Sequence, residues 1–235
     1  MRRKILITGG SSGIGLALAN RLSARHDVIV TGSRDRSEIT EVFSPNLIYV
    51  QASQSDPEAA IKTIAEALLK AGWVKLDNVV LNAGTGFAVK NAIDDVERIR
   101  QTIDINLTTT ILLSRTLYPW LAKAEGTLTI VGSVAHKGQA LFPAYAASKG
   151  ALHGFVRALR SEWQGRVAVQ ILHPGPTRTD MHAKAGHDAG RLRSIFINPS
   201  SMAAMMEYAM SSKRSPLSLS FLKYYMGGSI MGKRL

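Results

Sequence analysis

The chain has no cysteine, so neither a disulfide nor a thiolate-bound metal can hold it together, and a reducing compartment suits it. Long apolar runs are also missing, since none approaches the roughly 18 residues needed to span a bilayer. The start, Met1-Arg2-Arg3-Lys4, carries the charge of a secretory leader, but the apolar run Ile5-Leu6-Ile7 stops at Thr8-Gly9-Gly10, too soon for the hydrophobic part of one. A cytoplasmic protein without a membrane partner is the expectation. Acidic residues are scarce too, 17 against 29 Lys and Arg, for a formal charge of +12. Clustered basic residues attract polyanions. Here they are spread along the chain, in groups no larger than Arg2-Arg3-Lys4, Lys213-Arg214 and Lys233-Arg234. That pattern points to a basic surface that favours anionic cofactors and not to a nucleic-acid binder.

What is present is a chain of 235 residues with 46% apolar and 20% charged residues, enough to bury a sizeable core. Apolar runs and helical patterns alternate throughout, as a parallel sheet with crossover helices requires. Residues 4–8, 28–31, 46–51, 77–81, 127–131, 167–172 and 217–225 read as strands, and 14–25, 94–123, 144–163 and 199–211 as helices. Another helix opens at Asp56-Pro57-Glu58, with a capping aspartate and proline in the first turn, and stops at Ala71-Gly72. No linker or repeat divides the chain. A single α/β domain over 1–235 with a doubly wound, Rossmann-like parallel sheet follows. The stretch 177–198 is basic and without clear period, and its part from 179 to 198 reads as a substrate lid.

The first strand runs into Thr8-Gly9-Gly10-Ser11-Ser12-Gly13-Ile14-Gly15, and a helix follows at once. Glycines let the backbone approach a pyrophosphate, and the helix N-terminus offers free N–H groups and a favourable dipole. The spacing is G-x-x-x-G-x-G, not the general G-x-G-x-x-G. An anionic dinucleotide belongs at this turn, against Gly9, Ser11, Ser12, Gly13, Ile14 and Gly15.

Tyr145-Ala146-Ala147-Ser148-Lys149 places a phenol and an ammonium at i and i+4 of a helix, on one face. A cation within about 4–6 Å favours the phenolate, which moves the tyrosine toward the range useful for acid–base work. Ser133 lies just past the strand 127–131, at the sheet edge where open α/β folds bind ligands. Its hydroxyl can hydrogen-bond a substrate carbonyl. His182 and His187 lie five apart without an acidic partner, so no metal site is expected.

Thr8 to Gly15, Asn82-Ala83-Gly84, Asn106, Ser133, Tyr145 with Lys149, and Pro174-Gly175 with Thr179 stand in an order that resembles the short-chain dehydrogenase/reductase family over nearly the whole chain. The resemblance implies that Tyr145 protonates a carbonyl oxygen during reduction, and that Lys149 lowers its pKa and holds the nicotinamide ribose. It further implies that Ser133 orients the substrate oxygen and that Asn106 holds a water linking Lys149 to solvent. Asparagine is a poor helix former, so a local kink at Asn106 is expected. By the same resemblance Asn82, Ala83 and Gly84 wall the cofactor, and Pro174, Gly175, Thr177 and Thr179 flank the nicotinamide. Leu81 stands where the family often has an asparagine, and Ser53 near where many members place an aspartate against the adenine.

The implied activity is hydride transfer between NADP(H) and a small carbonyl or alcohol substrate. A dinucleotide-binding regulator or scaffold of the same fold is the alternative, and it would need none of Asn106, Ser133, Tyr145 and Lys149. NADP(H) is expected over NAD(H), because Ser33 takes the place of the acid that binds an adenosine ribose and Arg34 follows it with a guanidinium suited to phosphate. Asp35, 20 residues after Gly15, is the rival. The helices at 94–123 and 144–163 match those through which the family commonly pairs subunits, so a homodimer or homotetramer is expected.

Overall fold

A computed structural model of the chain describes residues 2–89, 95–179, 196–212 and 215–219. The strands are β1 (Lys4–Ile7), β2 (Asp27–Gly32), β3 (Leu47–Gln51), β4 (Asn78–Leu81), β5 (Thr127–Val131), β6 (Ala168–Pro174) and β7 (Leu217–Leu219). All seven lie in one parallel sheet in the order β3-β2-β1-β4-β5-β6-β7. The helices are α1 (Gly13–Ser23), α2 (Pro57–Lys70), α3 (Val96–Ile103), α4 (Thr109–Ala122), α5 (Pro143–Glu162) and α6 (Pro199–Ser212).

Alternation along each strand separates two cores, because successive side chains leave a strand on opposite faces. Leu6, Ile29, Val79, Leu81, Ile130 and Ile171 face one way, against Ile64 and Leu68 of α2, Leu113 and Leu117 of α4, and Leu152 and Val156 of α5. Ile5, Ile7, Val28, Val30, Val80 and Leu172 face the other, against Leu18 and Leu22 of α1 and a methionine-rich side of α6, Met202, Met205 and Met206. Leu6 is fully buried, and truncating such a residue to alanine costs about 2–5 kcal/mol.

Strand order reverses at β1, whose neighbours are β2 on one side and β4 on the other. Loops leaving the carboxyl ends of β1 and β4 therefore diverge, and the crevice between them is where such sheets take ligands. The α2 cap forms as the sequence requires, Asp56 accepting from the Ala59 N–H at 3.0 Å.

The helix expected over 94–123 is interrupted. After α3 the chain makes a wide π turn over Asp104–Thr108 before α4 begins, so a distortion does fall at Asn106. Its cause is a long-range contact: the Asn106 side chain accepts from Thr85 N and donates to Thr85 O, both at 2.8 Å. Of the lid expected at 179–198, residues 180–195 lie outside the described residues, as does the part of the last expected strand beyond 219. None of the described helices is long and apolar enough to cross a membrane.

Candidate active site

The end of β1 is laced to the end of β4. The Thr8 hydroxyl oxygen accepts from the Asn82 and Ala83 N–H groups at 3.1 Å each, and Asn82 Nδ2 donates to the carbonyls of Thr8 and Gly9 at 3.0 Å. Gly9 has φ +64°, and a Cβ there would lie 2.7 Å from Ala83 Cα. A Cβ on Gly15 would run into the Gly9 carbonyl oxygen and come within 2.5 Å of Asn82 Nδ2. These approaches shape a tight cradle between turn and wall. Ser12 is the N-cap of α1 but its side chain makes no capping bond, and the first turn carries no acid. The dipole end of α1 is thus left for an anion, which fits the pyrophosphate of a dinucleotide. Thr179 sits by the same turn, its Cγ2 at 3.1 Å from where a Gly13 Cβ would be.

Arg34 also reaches this turn. Its Nη2 donates to the Ser11 carbonyl at 3.2 Å, while its backbone carbonyl accepts from the Tyr49 hydroxyl at 2.5 Å. The neighbouring Ser33 is exposed, with its carbonyl 3.3 Å from Gln51 Nε2. Asp35 is engaged elsewhere, for its carboxylate caps the short turn Arg36–Glu38 by accepting from Ser37 N at 2.8 Å and Ser37 Oγ at 2.5 Å. Those two bonds hold the carboxyl below its ordinary pKa. One group escapes a reading of the sequence. Glu41 pairs with Arg34 at 3.2 Å, a partner seven residues away in a stretch without helical or strand periodicity.

Across the cleft, the π turn carries Asn106 to α5, where its Nδ2 also donates to Ser148 Oγ at 3.0 Å. Ser148 in turn donates to the Tyr145 carbonyl at 2.8 Å. One network therefore fixes Thr85, Asn106 and the first turn of α5 relative to one another. Lys149 is buried, and its Nζ donates to the Val131 carbonyl at the end of β5 at 2.9 Å. A Cβ on Gly84 would come within 3.2 Å of both Asn106 Oδ1 and Lys149 Nζ, so this glycine keeps both groups open to the cleft. The Ser133 side chain stands close enough to the Tyr145 phenol to favour its charged form. Asn106, Ser133, Tyr145 and Lys149 thus stand together on this side of the cleft.

The electrostatics differ from the sequence expectation in one respect. Lys149 Nζ lies 5.8 Å from the Tyr145 ring centre, yet Tyr145 is raised above its ordinary value by burial, which outweighs the lowering by the Ser133 hydroxyl. Burial also pushes Lys149 down to about 8. Desolvation penalises both charged forms at once, so in the unliganded protein the pair holds a protonated phenol. A donor able to protonate an oxygen is what this arrangement supplies.

Beyond β6 the turn is braced from two sides. Gly175 N donates to Leu219 O at 2.7 Å, Thr177 Oγ1 donates to Gly175 O at 2.9 Å, and Thr177 bridges to Ile197. Pro174 and Gly175 are buried behind it.

Residues 3–190 match the family described as short chain dehydrogenase. The chain is 30% identical over 186 residues to 11-beta-hydroxysteroid dehydrogenase 1A of Arabidopsis thaliana, which covers 75% of this chain and 53% of that protein, so it spans about half of that relative's length. It is 33% identical over 192 residues to an uncharacterised oxidoreductase of Schizosaccharomyces pombe, covering 80% of this chain and 76% of the other. Among solved structures, BdcA in complex with NADPH superposes with a TM-score of 0.76 at 25% identity, over 88% of this chain and 86% of that one. By motif order, parallel sheet and sequence match together, the chain belongs to the short-chain dehydrogenase/reductase family.

Proposed function

We propose that the protein is an NADP(H)-dependent oxidoreductase acting on a small carbonyl or alcohol substrate. The observation that carries this reading is the convergence of Asn106, Ser133, Tyr145 and Lys149 beside a glycine-walled cradle at a helix N-terminus left without a side-chain cap. A bound dinucleotide supplies or accepts the hydride. Tyr145 donates its proton to the substrate oxygen during reduction and takes it back during oxidation, and Ser133 orients that oxygen by a hydrogen bond. Lys149 holds the ribose beside the nicotinamide, and its positive charge, 5.8 Å from the Tyr145 ring centre, favours the developing phenolate. Asn106 keeps the π turn open for a water that returns protons to Lys149. Gly9, Ser11, Ser12, Gly13, Ile14 and Gly15 hold the pyrophosphate, Asn82, Ala83 and Gly84 wall the cofactor, and Pro174, Gly175, Thr177 and Thr179 flank the nicotinamide.

Preference for NADP(H) over NAD(H) rests on Arg34 beside the phosphate turn and on Asp35 being committed to its own cap. The NADPH in the BdcA complex accords with it. Association into a dimer or tetramer through α4 and α5, and a cytoplasmic location, complete the reading. A screen of aldehydes and ketones for NADPH oxidation tests it, with Tyr145→Phe as the control. Turnover should vanish in that variant while NADPH still binds, because a transferable proton is lost with little volume. Wild-type kcat in Tyr145→Phe would overturn the assignment of the acid.

A further inference from the structure

Three histidines stand behind Ser133, and none of them has a role in the chemistry above. His136, on the turn after Ser133, lies with its ring centre 4.2 Å from His173 of β6 and 4.5 Å from His153 of α5, and the last two are 4.5 Å apart. One ring nitrogen from each lies within 4.8 Å of the others, a spacing that invites a metal. The ring planes argue against it. A metal bound to imidazole lies in the plane of the ring, and the planes of His153 and His173 are stacked 8° from parallel, so no single point serves both. The group is a stack of rings, and its contact with Ser133 is what sets it apart.

That contact is specific. The Ser133 N–H donates to His173 Nδ1 at 3.1 Å, and the same nitrogen lies 3.0 Å from the Ser133 carbonyl. His136 Nδ1 lies 2.7 Å from that carbonyl. Strand register makes the approach possible: Val131 pairs with Leu172, and Gly132 N donates to Leu172 O at 2.8 Å, which places the His173 ring over Gly132. A Cβ on Gly132 would collide with His173 Nδ1 and sit 2.5 Å from Cε1. His173 is fully buried, and its Nε2 finds no hydrogen-bond partner among the described protein groups. An imidazole kept there at that cost in stability has a use that a leucine would not serve.

We propose that His173, with His136 beside it, is a positioning residue that grips the main chain of Ser133 and so aims the Ser133 hydroxyl at Tyr145 and the substrate oxygen. The hydroxyl is otherwise drawn away from the cleft, because it also caps the turn behind it by accepting from Ala135 N at 3.1 Å. A fixed backbone at Ser133 lets one oxygen serve the cap and the Tyr145 phenol together. Burial, with the positive charge of Lys149 and the neighbouring His136 and His153, holds His173 down to about 3. The ring is neutral wherever the enzyme works, and Nδ1 stays able to accept.

The proposal rests on Ser133 orienting the substrate, and its test separates the two. His173→Leu, His173→Asn, Gly132→Ala and Ser133→Ala are compared for kcat, KM, NADPH affinity and melting temperature. His173→Leu should lower kcat on the order of ten- to a hundredfold, the scale for a slightly misplaced reacting group, with NADPH affinity unchanged. His173→Asn keeps an acceptor near the Nδ1 position and should recover kcat to within about threefold of wild type. Gly132→Ala displaces the ring and should reproduce the loss, and adding it to His173→Leu should cost little more. If His173→Leu keeps wild-type kcat, or if Asn rescues no better than Leu, the positioning role is overturned. Should His173→Leu fail to fold, Gly132→Ala and His173→Asn decide the matter in the same way. Undiminished kcat in Ser133→Ala would instead overturn the role of Ser133 itself.

Discussion

Lys149→Met should stabilise the unliganded protein while destroying its activity. Lys149 is 3% exposed and its pKa falls from 10.5 to about 8 because burial strips water from the ammonium. At about 1.4 kcal/mol per pH unit, that fall corresponds to about 3 kcal/mol by which the folded state disfavours the charged lysine at pH 7. The bond from Nζ to the Val131 carbonyl is lost with the substitution, at about 1 kcal/mol. The balance is a gain of about 2 kcal/mol, a rise of about 4–8 °C in melting temperature for a chain of this size. The sign carries a pH signature. Below pH 8 both folded and unfolded lysine are charged and the penalty is complete. Between 8 and 10.5 the folded lysine sheds its proton first, so wild-type stability climbs with pH and the advantage of the methionine variant shrinks. Thermal melts of the dinucleotide-free protein at pH 7 and across that window test this. A methionine variant that melts at or below wild type at pH 7, or a gap that does not close with pH, refutes the argument.

Arg34→Ala should weaken NADPH binding ten- to a hundredfold, the worth of a charge-assisted bond of about 1.5–3 kcal/mol, and leave NADH almost unchanged by fluorescence titration. Glu41 competes for the same guanidinium, so Glu41→Gln should tighten NADPH by about twofold to fivefold, the range for a partly exposed ion pair; equal or weaker binding counts against Arg34 as the phosphate ligand. On the acid side, His173 is depressed from 6.5 to about 3. The unfolded chain therefore binds the extra proton first, and stability should fall as pH drops from 6.5 toward 3, a slope that His173→Asn should flatten in denaturant titrations. Light scattering at micromolar concentration should return the mass of a dimer or tetramer, and a monomer would remove α4 and α5 as pairing helices.

Where structure follows from neighbours in sequence, reading along the chain is enough. Asp56-Pro57 starts α2 because cap and first turn are adjacent residues, and the Asp56–Ala59 bond spans three positions. The two cores are legible for the same reason, since alternation along β1, β2 and β4 sorts side chains to faces without knowing their partners. The long helix before β5 shows the limit. Its π turn depends on Thr85, 21 residues from Asn106, and nothing in the local run of Asp104-Ile105-Asn106-Leu107-Thr108 marks an extra residue per turn beyond the poor helix propensity of asparagine.

The pair proposed to handle the proton is legible in position but not in balance. Spacing four apart places Tyr145 and Lys149 on one face, and from charge alone the lysine should pull the phenol down. Burial decides otherwise, and burial is a property of the assembled cleft: Gly84, Gly86 and Asn106 come from other elements, and a Cβ on Gly86 would sit 2.9 Å from the Tyr145 ring. The histidine grip is further from sequence still. Ser133, just past β5, and His173 of β6 are 40 residues apart, the neighbourhood of these strands follows from the crossover through α5, and only the register of β5 on β6 sets Gly132 beneath the ring. A glycine just past a buried strand says that something approaches closely. It does not say what, and the identity of that neighbour is what turns a turn serine into an aimed hydroxyl.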